Sequence, residues 1–224
     1  MEHEFWHKAW SSPDPPGWQQ KQFNPHLDKY WALTGALSGE TVFVPLCGRS
    51  LDMQWLHDYG HHIVGIDLSV AALEEFCKQQ SIDAVCETVG ELTVFRAPGW
   101  TLYAGDFFKL QASHLAKVSC VYDRAALIAL PPPMRQSYAA HLRSILPVTS
   151  KIFTITIAYD QNQMKGPPFS VPDSEFRGYY SDGFDIELLE SASGPDQLGN
   201  LKKRGLESLT ETCFLLRPKV VSET

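Results

Sequence analysis

The sequence predicts an α/β protein built on a doubly wound, mostly parallel sheet, and two observations lead to that prediction. Short runs of branched, apolar and aromatic residues alternate with amphipathic helical segments between about residue 40 and residue 160. The strand-like runs are apolar throughout rather than on one face, which is typical of parallel strands covered on both sides by helices. Ligands of such sheets bind outside the carboxyl ends of the strands.

The first half of this pattern contains three strand regions: TVFVPL (41–46), HHIVGIDLS (61–69) and the pair LTVFRAP and WTLYAGDFF (92–108). The third region has a hairpin-like turn at Pro98-Gly99. Helical segments follow the first two strands, at LDMQWLHDYG and VAALEEFCKQQ. This half therefore predicts two strand–helix units and a third strand.

The second half continues with a fourth strand in VSCVYDRAAL (118–127), a helix in MRQSYAAHLRSIL after three prolines, and a fifth strand in KIFTITIAYD (151–160). The tail then departs from the alternation. DIELLESA (185–192) and SLTETCFLLRP (208–218) both predict strands, and the latter is suited to antiparallel pairing at the sheet edge. The total is seven strands.

Residues 1–39 mix aromatic side chains with turn-forming residues and contain too few apolar residues to bury a core of their own. We interpret this segment as an N-terminal helical arm over the active site rather than as a separate domain. With 224 residues in all, the chain is predicted to form one domain, 1–224, and to act as a monomer.

Composition excludes several classes of function. Asp and Glu number 26 against 19 Lys and Arg, which argues against a nucleic-acid partner. The cluster Lys202-Lys203-Arg204 is typical of a solvated turn. The sequence contains neither an export signal nor an apolar run long enough to span a membrane, and its five scattered cysteines suit reduced thiols, so we expect a cytoplasmic protein. No metal site is predicted, because Gly60 is expected to end the helix between His57 and His61.

The loop after the first strand, Pro45 to Ser50, contains one glycine, Gly48. A dinucleotide site requires GxGxxG there, which argues against an NAD-dependent oxidoreductase. The second strand nevertheless ends in Asp67, nineteen positions after Gly48, where a carboxylate can hold a pair of ribose hydroxyls, while Ser69 is the better helix N-cap. A ribose without a diphosphate is what S-adenosylmethionine presents.

Four motifs and the N-terminal segment resemble the thiopurine S-methyltransferase family, in particular a bacterial member. The motifs are PLCGRSLDM, GHHIVGIDLS, VYDRAALIALPP and YD…GPPFSVP, and the N-terminal segment is FWHKAW…GWQQ…NPHL. The resemblance extends from about residue 5 to residue 217. It implies a class I methyltransferase fold, which is Rossmann-like, with a seven-stranded sheet and S-adenosyl-L-methionine as cofactor.

The resemblance also implies roles for individual residues. Trp10 matches a tryptophan that covers the cofactor, Leu46 and Gly48 contribute from the first loop, Asp67 takes the ribose, and Arg124 matches an arginine at the cofactor and substrate site. The family often has Glu at the ribose position, and Asp67 is one methylene shorter.

Three further positions follow from the same resemblance. Asp106 and Phe107 fall where the loop after the third strand meets the adenine, and Trp18 stands near the substrate, where the family commonly carries phenylalanine. On sequence alone, other interpretations stay open: Trp10 and Trp18 as aromatic staples for the arm, Asp123-Arg124 as a structural ion pair, and Cys47 as a packing residue.

The expected reaction is methyl transfer to the sulfur of a small aromatic or heterocyclic thiol. Such a thiol ionises near neutral pH, so no dedicated general base is predicted, and Arg124 is expected to position the substrate and favour the bound anion. Alternatives are methylation of inorganic selenium or tellurium species, methylation of another small-molecule O or N acceptor, and a catalytically silent module that only binds an adenosyl ligand.

Overall fold

The computed structural model describes residues 3–10 and 19–219 of the chain. Within these residues nine strands form one sheet. They are β1 (Thr41–Pro45), β2 (His62–Asp67), β3 (Val85–Val89), β4 (Leu92–Ala97), β5 (Trp100–Ala104), β6 (Val118–Asp123), β7 (Lys151–Ala158), β8 (Phe184–Gly194) and β9 (Leu209–Pro218).

The described helices pack around this sheet. They are α1 (His3–Trp10), α2 (Pro25–Tyr30), α3 (Leu51–Asp58), α4 (Val70–Gln79), α5 (Ala126–Ala129), α6 (Pro132–Ile145) and α7 (Asp173–Tyr180). Short 3-10 helices occur at Trp31–Thr34, Phe107–Lys109, Ala112–His114, Pro195–Gln197 and Gly199–Arg204. No helix within the described ranges combines the length and apolar character needed to cross a bilayer.

The strand order is β3-β4-β5-β2-β1-β6-β7-β9-β8. The five central strands, β5 to β7, are parallel to one another because helices and long connections return the chain to the same end of the sheet. The strands outside them pair antiparallel, β3 and β4 on one side and β9 and β8 on the other. The parallel centre brings the carboxyl ends of β1, β2, β6 and β7 to one edge.

The predicted seven-stranded, mostly parallel sheet is wrong in its details. The third strand region divides into β4 and β5 at Pro98-Gly99, where Gly99 has a φ of 79°. Every residue of strand β3 is exposed, which explains why the strand has no apolar run. Among the described strands it pairs with β4 alone, through a two-residue turn. The sheet is therefore mixed, and β8 rather than β9 lies at its edge.

Apolar side chains fill both faces of the sheet, so the doubly wound prediction is confirmed. Val42 and Val44 of β1 face one core, which includes Met53 from α3 and Phe76 from α4. Phe43 faces the other core. That second core also contains residues from α5, α6 and α7, namely Leu127, Tyr138, Leu142 and Phe176. Because successive side chains of one strand point to opposite faces of the sheet, a single strand packs against helices on both sides.

The segment before β1 is joined to the sheet by charged side chains. His26 contacts Glu211 at 2.7 Å and Glu190 at 3.3 Å, and Lys29 lies 2.9 Å from Glu190. Donor atoms of His26, Glu190 and Cys213 lie within 4.8 Å of one another, the spacing of a possible metal site. Because Glu190 already accepts from Lys29 and His26 hydrogen-bonds Glu211, contacts within the protein account for these two side chains.

Trp31 and His61 fix the same segment in the core. Both are almost fully buried, and the Trp31 indole donates to Nε2 of His61 over 2.8 Å. His61 follows Gly60, which has a φ of 108° and lies just beyond the end of α3. The helix therefore ends between His57 and His61, as the sequence predicted. Burial lowers the pKa of His61, so the folded protein holds the neutral imidazole that this hydrogen bond requires.

Acidification is expected to weaken the fold through His61. Below a pH of about 6.5 the unfolded chain takes up a proton that folded His61 resists, so the free energy of unfolding falls. His61→Gln retains an acceptor for Trp31 without a proton to gain, and its free energy of unfolding should fall less between pH 7.5 and 5.5. Urea unfolding at both values measures this, and equal losses in the two proteins would contradict it.

Candidate active site

A cavity of about 570 Å³ lies at the carboxyl ends of the central strands. Its walls come from the loops after β1, β2 and β6, from α1, and from segments 167–168 and 197–201. Five of the predicted site residues line it: Trp10, Leu46, Gly48, Asp67 and Arg124. A second cavity, of about 500 Å³, lies at the opposite end of β1 and β2, and none of the predicted site residues that the structure describes line it.

The loop after β1 is held in an uncommon backbone conformation. Leu46 has a φ of 46° and Gly48 a φ of 49°, both in the left-handed region. For Leu46 this conformation is costly, and such strain is concentrated at functional sites. A Cβ atom on residue 48 would lie 2.6 Å from the Trp10 ring, so only glycine allows Trp10 to cover this loop.

The Asp67 carboxylate joins the tips of β1 and β2. Its two oxygens accept from the backbone N–H of Gly48 over 2.8 Å and of Ser69 over 2.9 Å. The Ser69 hydroxyl caps α4 by accepting from the Ala72 N–H, which confirms it as the N-cap. Burial raises the pKa of Asp67 to about 6, although the two N–H donors partly offset the effect.

Arg124 is held by Asp52, a residue that the sequence analysis did not identify. One oxygen of the Asp52 carboxylate accepts from Nε of Arg124 at 3.0 Å, from its Nη2 at 2.9 Å and from the Tyr122 hydroxyl at 3.0 Å. The other oxygen accepts from the Asn24 N–H at 2.7 Å. Burial alone would lower the pKa of Arg124, but Asp52 raises it above its ordinary value, so the pair is ionic.

The alternative ion pair between Asp123 and Arg124 does not form. One Asp123 oxygen accepts from the N–H groups of Ala126 and Leu127, and the other from the Tyr138 hydroxyl at 2.7 Å. Asp123 thus fixes the turn between β6 and α5. Cys47 is buried beside Asp67, and burial, followed by the Asp67 charge, raises its thiol pKa, which suits a packing residue.

Arg49 is a second residue that the sequence analysis did not assign. Its guanidinium lies 5.0 Å from the centre of a Trp10 ring, and its backbone oxygen accepts from the Gln19 side chain at 2.9 Å. Nε and Nη2 of Arg49 are buried and have no hydrogen-bond partner among the residues that the structure describes. Its position directly after Gly48 was the available signal, because a cation in a ligand-binding loop is a candidate contact.

Asp106 and Phe107 do not line the cavity. The Asp106 side chain instead caps the following 3-10 helix by accepting from the Phe108 N–H, and the buried Phe107 ring packs against Tyr138. They remain near the site, because the adjacent Gly105 N–H donates to the Asp67 backbone oxygen. Trp18 lies outside the described residues.

Solved structures of methyltransferases share this fold. One such enzyme from Anabaena variabilis aligns with a TM-score of 0.66 at 13% identity, covering 98% of this chain and 96% of its own. The N-methyltransferase NodS from Bradyrhizobium japonicum, in complex with S-adenosyl-L-homocysteine, aligns with a TM-score of 0.64 at 11% identity, covering 97% and 98%. The fold is thus that of class I methyltransferases.

Sequence comparison narrows this class. The family model for thiopurine S-methyltransferase matches residues 1–219. A thiopurine S-methyltransferase from Pseudomonas aeruginosa is 43% identical over 219 residues, covering 96% of this chain and 99% of that protein. The chain belongs to the thiopurine S-methyltransferase family, which confirms the family and the enzyme class predicted from the sequence.

Removing the Asp52 carboxylate should destabilise the protein. Asp52→Ala leaves the Arg124 guanidinium largely buried without its counter-charge, and we expect the free energy of unfolding to fall by about 2–4 kcal/mol, somewhat less than for a fully buried pair. Asp58→Ala removes an exposed carboxylate from the same helix and should change it by less than about 0.5 kcal/mol. Equal losses in urea unfolding of the two variants would contradict the assignment.

Proposed function

We propose that the protein transfers a methyl group from S-adenosyl-L-methionine to the sulfur of a small aromatic or heterocyclic thiol. The observation that carries the proposal is the cavity between the single-glycine loop and Asp67, in a chain of this family. The described N-terminal helix contributes Trp10 to the same cavity, and only 9% of this residue is exposed. The site is thus concave and partly covered, as small-molecule sites are.

The residues present fit an adenosyl group better than a dinucleotide. A pyrophosphate would bind to free backbone N–H groups of the loop after β1 and of the start of α3. Here Trp10 packs on Gly48, and the Ser50 hydroxyl already accepts from the Asp52 N–H at the start of α3. Asp67 remains available to accept from ribose hydroxyls, because a carboxylate has about four acceptor positions and two are used.

In this assignment Asp67 holds the ribose, Leu46 and Gly48 contact the donor from the loop, and Trp10 covers it. Asp106 and Phe107 do not line the cavity, so the adenine contact is proposed for the loop that carries them rather than for their side chains. Trp18 keeps its predicted role near the substrate. Residues 1–39 act as an arm over the site of a single domain, 1–224. We further propose that the protein is a monomer without a nucleic-acid partner and works in the cytoplasm.

When bound, S-adenosylmethionine supplies a methyl group that is already activated by a positive sulfur. The protein's own residues then have to orient the acceptor and exclude water, and orientation alone can contribute roughly 7–11 kcal/mol. Arg124 is fixed at the cavity wall by Asp52, so its side chain is held in place before a ligand arrives. An aromatic thiol ionises near neutral pH, so this arrangement requires no general base.

The acceptor class is tested with labelled S-adenosylmethionine and a panel of aromatic thiols, selenite and phenols. We expect methylated product from the aromatic thiols, because thiolates are strong nucleophiles at neutral pH and phenols are mostly protonated. Product from phenols or selenite without product from thiols would contradict the proposed acceptor. Absence of transfer to every member of the panel would contradict the proposed enzyme activity.

Ligand affinity should depend on ionisation of Asp67. With a pKa of about 6, the carboxylate is mostly ionised at pH 7 and mostly protonated at pH 5, so binding of S-adenosylhomocysteine should weaken by about tenfold between them. Asp67→Asn should bind more weakly at pH 7 and lose most of this pH dependence. Calorimetric titration at both values measures the effect, and the same pH dependence in the variant would contradict the role of Asp67.

A further inference from the structure

Four charged side chains line the cavity in the part of the chain that the structure describes: Arg49, Asp67, Arg124 and Glu211. Three of them have polar partners. Asp67 accepts from two backbone N–H groups, Arg124 is paired with Asp52, and Glu211 contacts His26. Arg49 differs, because within the described ranges its guanidinium has no carboxylate partner.

The unpartnered atoms of Arg49 are the two that matter for recognising an anion. Nε and Nη2 form one edge of the guanidinium, with N–H bonds that point in the same direction, and both are buried without a hydrogen-bond partner. Leaving such charged donors unpaired is costly. Arg124 presents the same edge, and there it is filled by the Asp52 carboxylate at 3.0 and 2.9 Å. Arg49 therefore presents a bidentate donor edge to which no described carboxylate is bound.

Trp10 orients that donor edge. Its ring lies 5.0 Å from the Arg49 guanidinium carbon, within the range of a cation–π contact, and stacking leaves the donor edge of the guanidinium able to bind a planar anion. The Gln19 side chain donates to the Arg49 backbone oxygen at 2.9 Å and so helps to hold the loop. Arg49 is thus held at the wall of the cavity, where its charge can attract a bound anion.

We propose that Arg49 binds a carboxylate of a ligand in this cavity through Nε and Nη2. The inference rests on the proposed function, which supplies two sources of that group: the amino-acid carboxylate of the methyl donor and an acidic substituent on the aromatic thiol. Both are planar anions that match a bidentate guanidinium edge. Arg124, whose charge is already balanced by Asp52, is less suited to this task.

The test compares ligands that differ only in the carboxylate. For the donor, S-adenosylhomocysteine and its decarboxylated analogue are titrated calorimetrically into the wild type and Arg49→Gln. For the acceptor, KM is measured for 4-mercaptobenzoate and for thiophenol. We expect Arg49→Gln to weaken one carboxylated ligand by tenfold or more, while its counterpart without the carboxylate changes less than twofold. The measurement that changes, on the donor or on the acceptor, identifies the source of the carboxylate.

Arg96→Gln is the matched control, since it removes an arginine that pairs with Glu87 on the outer strands, and it should change neither measurement. Arg49→Lys keeps the charge but loses the bidentate donor edge, and it replaces Arg49→Gln if thermal unfolding shows that variant to be unfolded. Equal effects on ligands with and without the carboxylate, or no effect on either the donor or the acceptor, would overturn the inference. A wild type that neither binds S-adenosylhomocysteine nor methylates a thiol would instead refute the proposed function.

Discussion

The cavity depends on one buried carboxylate, that of Asp67, which accepts from the N–H groups of Gly48 and Ser69. The first hydrogen bond ties the loop after β1 to the tip of β2, and the second sets the start of α4. Because the loop also carries Leu46 and Gly48 in left-handed conformations, this hydrogen bond helps to hold the loop in its shape. The carboxylate is buried enough to have a raised pKa, yet it retains capacity for further donors. Asp67 thus both holds the shape of the cavity and has acceptor positions available for a ligand.

A second buried carboxylate, Asp52, organises the opposite wall. It joins Tyr122 in β6 and Arg124, which directly follows β6, to the backbone of Asn24, which caps α2. The segment before β1 and the site are therefore coupled through one polar cluster in which only 1% of Asp52 is exposed. This pairing balances Arg124 and leaves Arg49, covered by Trp10, as the cation that lacks a counter-charge among the described lining residues. The positive charge available to a ligand in the cavity is therefore that of Arg49, because the charge of Arg124 is balanced by Asp52.

The parts of the fold and site that the sequence predicted are those encoded locally. Buried strands, helix caps such as Ser69, the glycine-poor loop and the acidic end of β2 are each encoded by a few consecutive residues, so each pattern is visible in the chain. Strand β3 was missed because it is exposed on both faces and is stabilised by pairing rather than by an apolar run. The Asp52–Arg124 pair was missed because its partners are 72 positions apart and an acidic residue in the first turn of a helix is common. Asp106 matched a family position, but its side chain caps a local helix instead of lining the cavity, which no pattern in the sequence distinguishes.

We propose that the edge of the sheet at Asp67 binds an adenosine that bears sulfur and no diphosphate. A crystal structure of the protein with S-adenosylhomocysteine would locate this ligand. We expect both ribose hydroxyls to lie within hydrogen-bonding distance of the Asp67 carboxylate and Trp10 to cover the ligand. A ligand whose ribose contacts other residues, or one bound at the amino ends of β1 and β2, would contradict it.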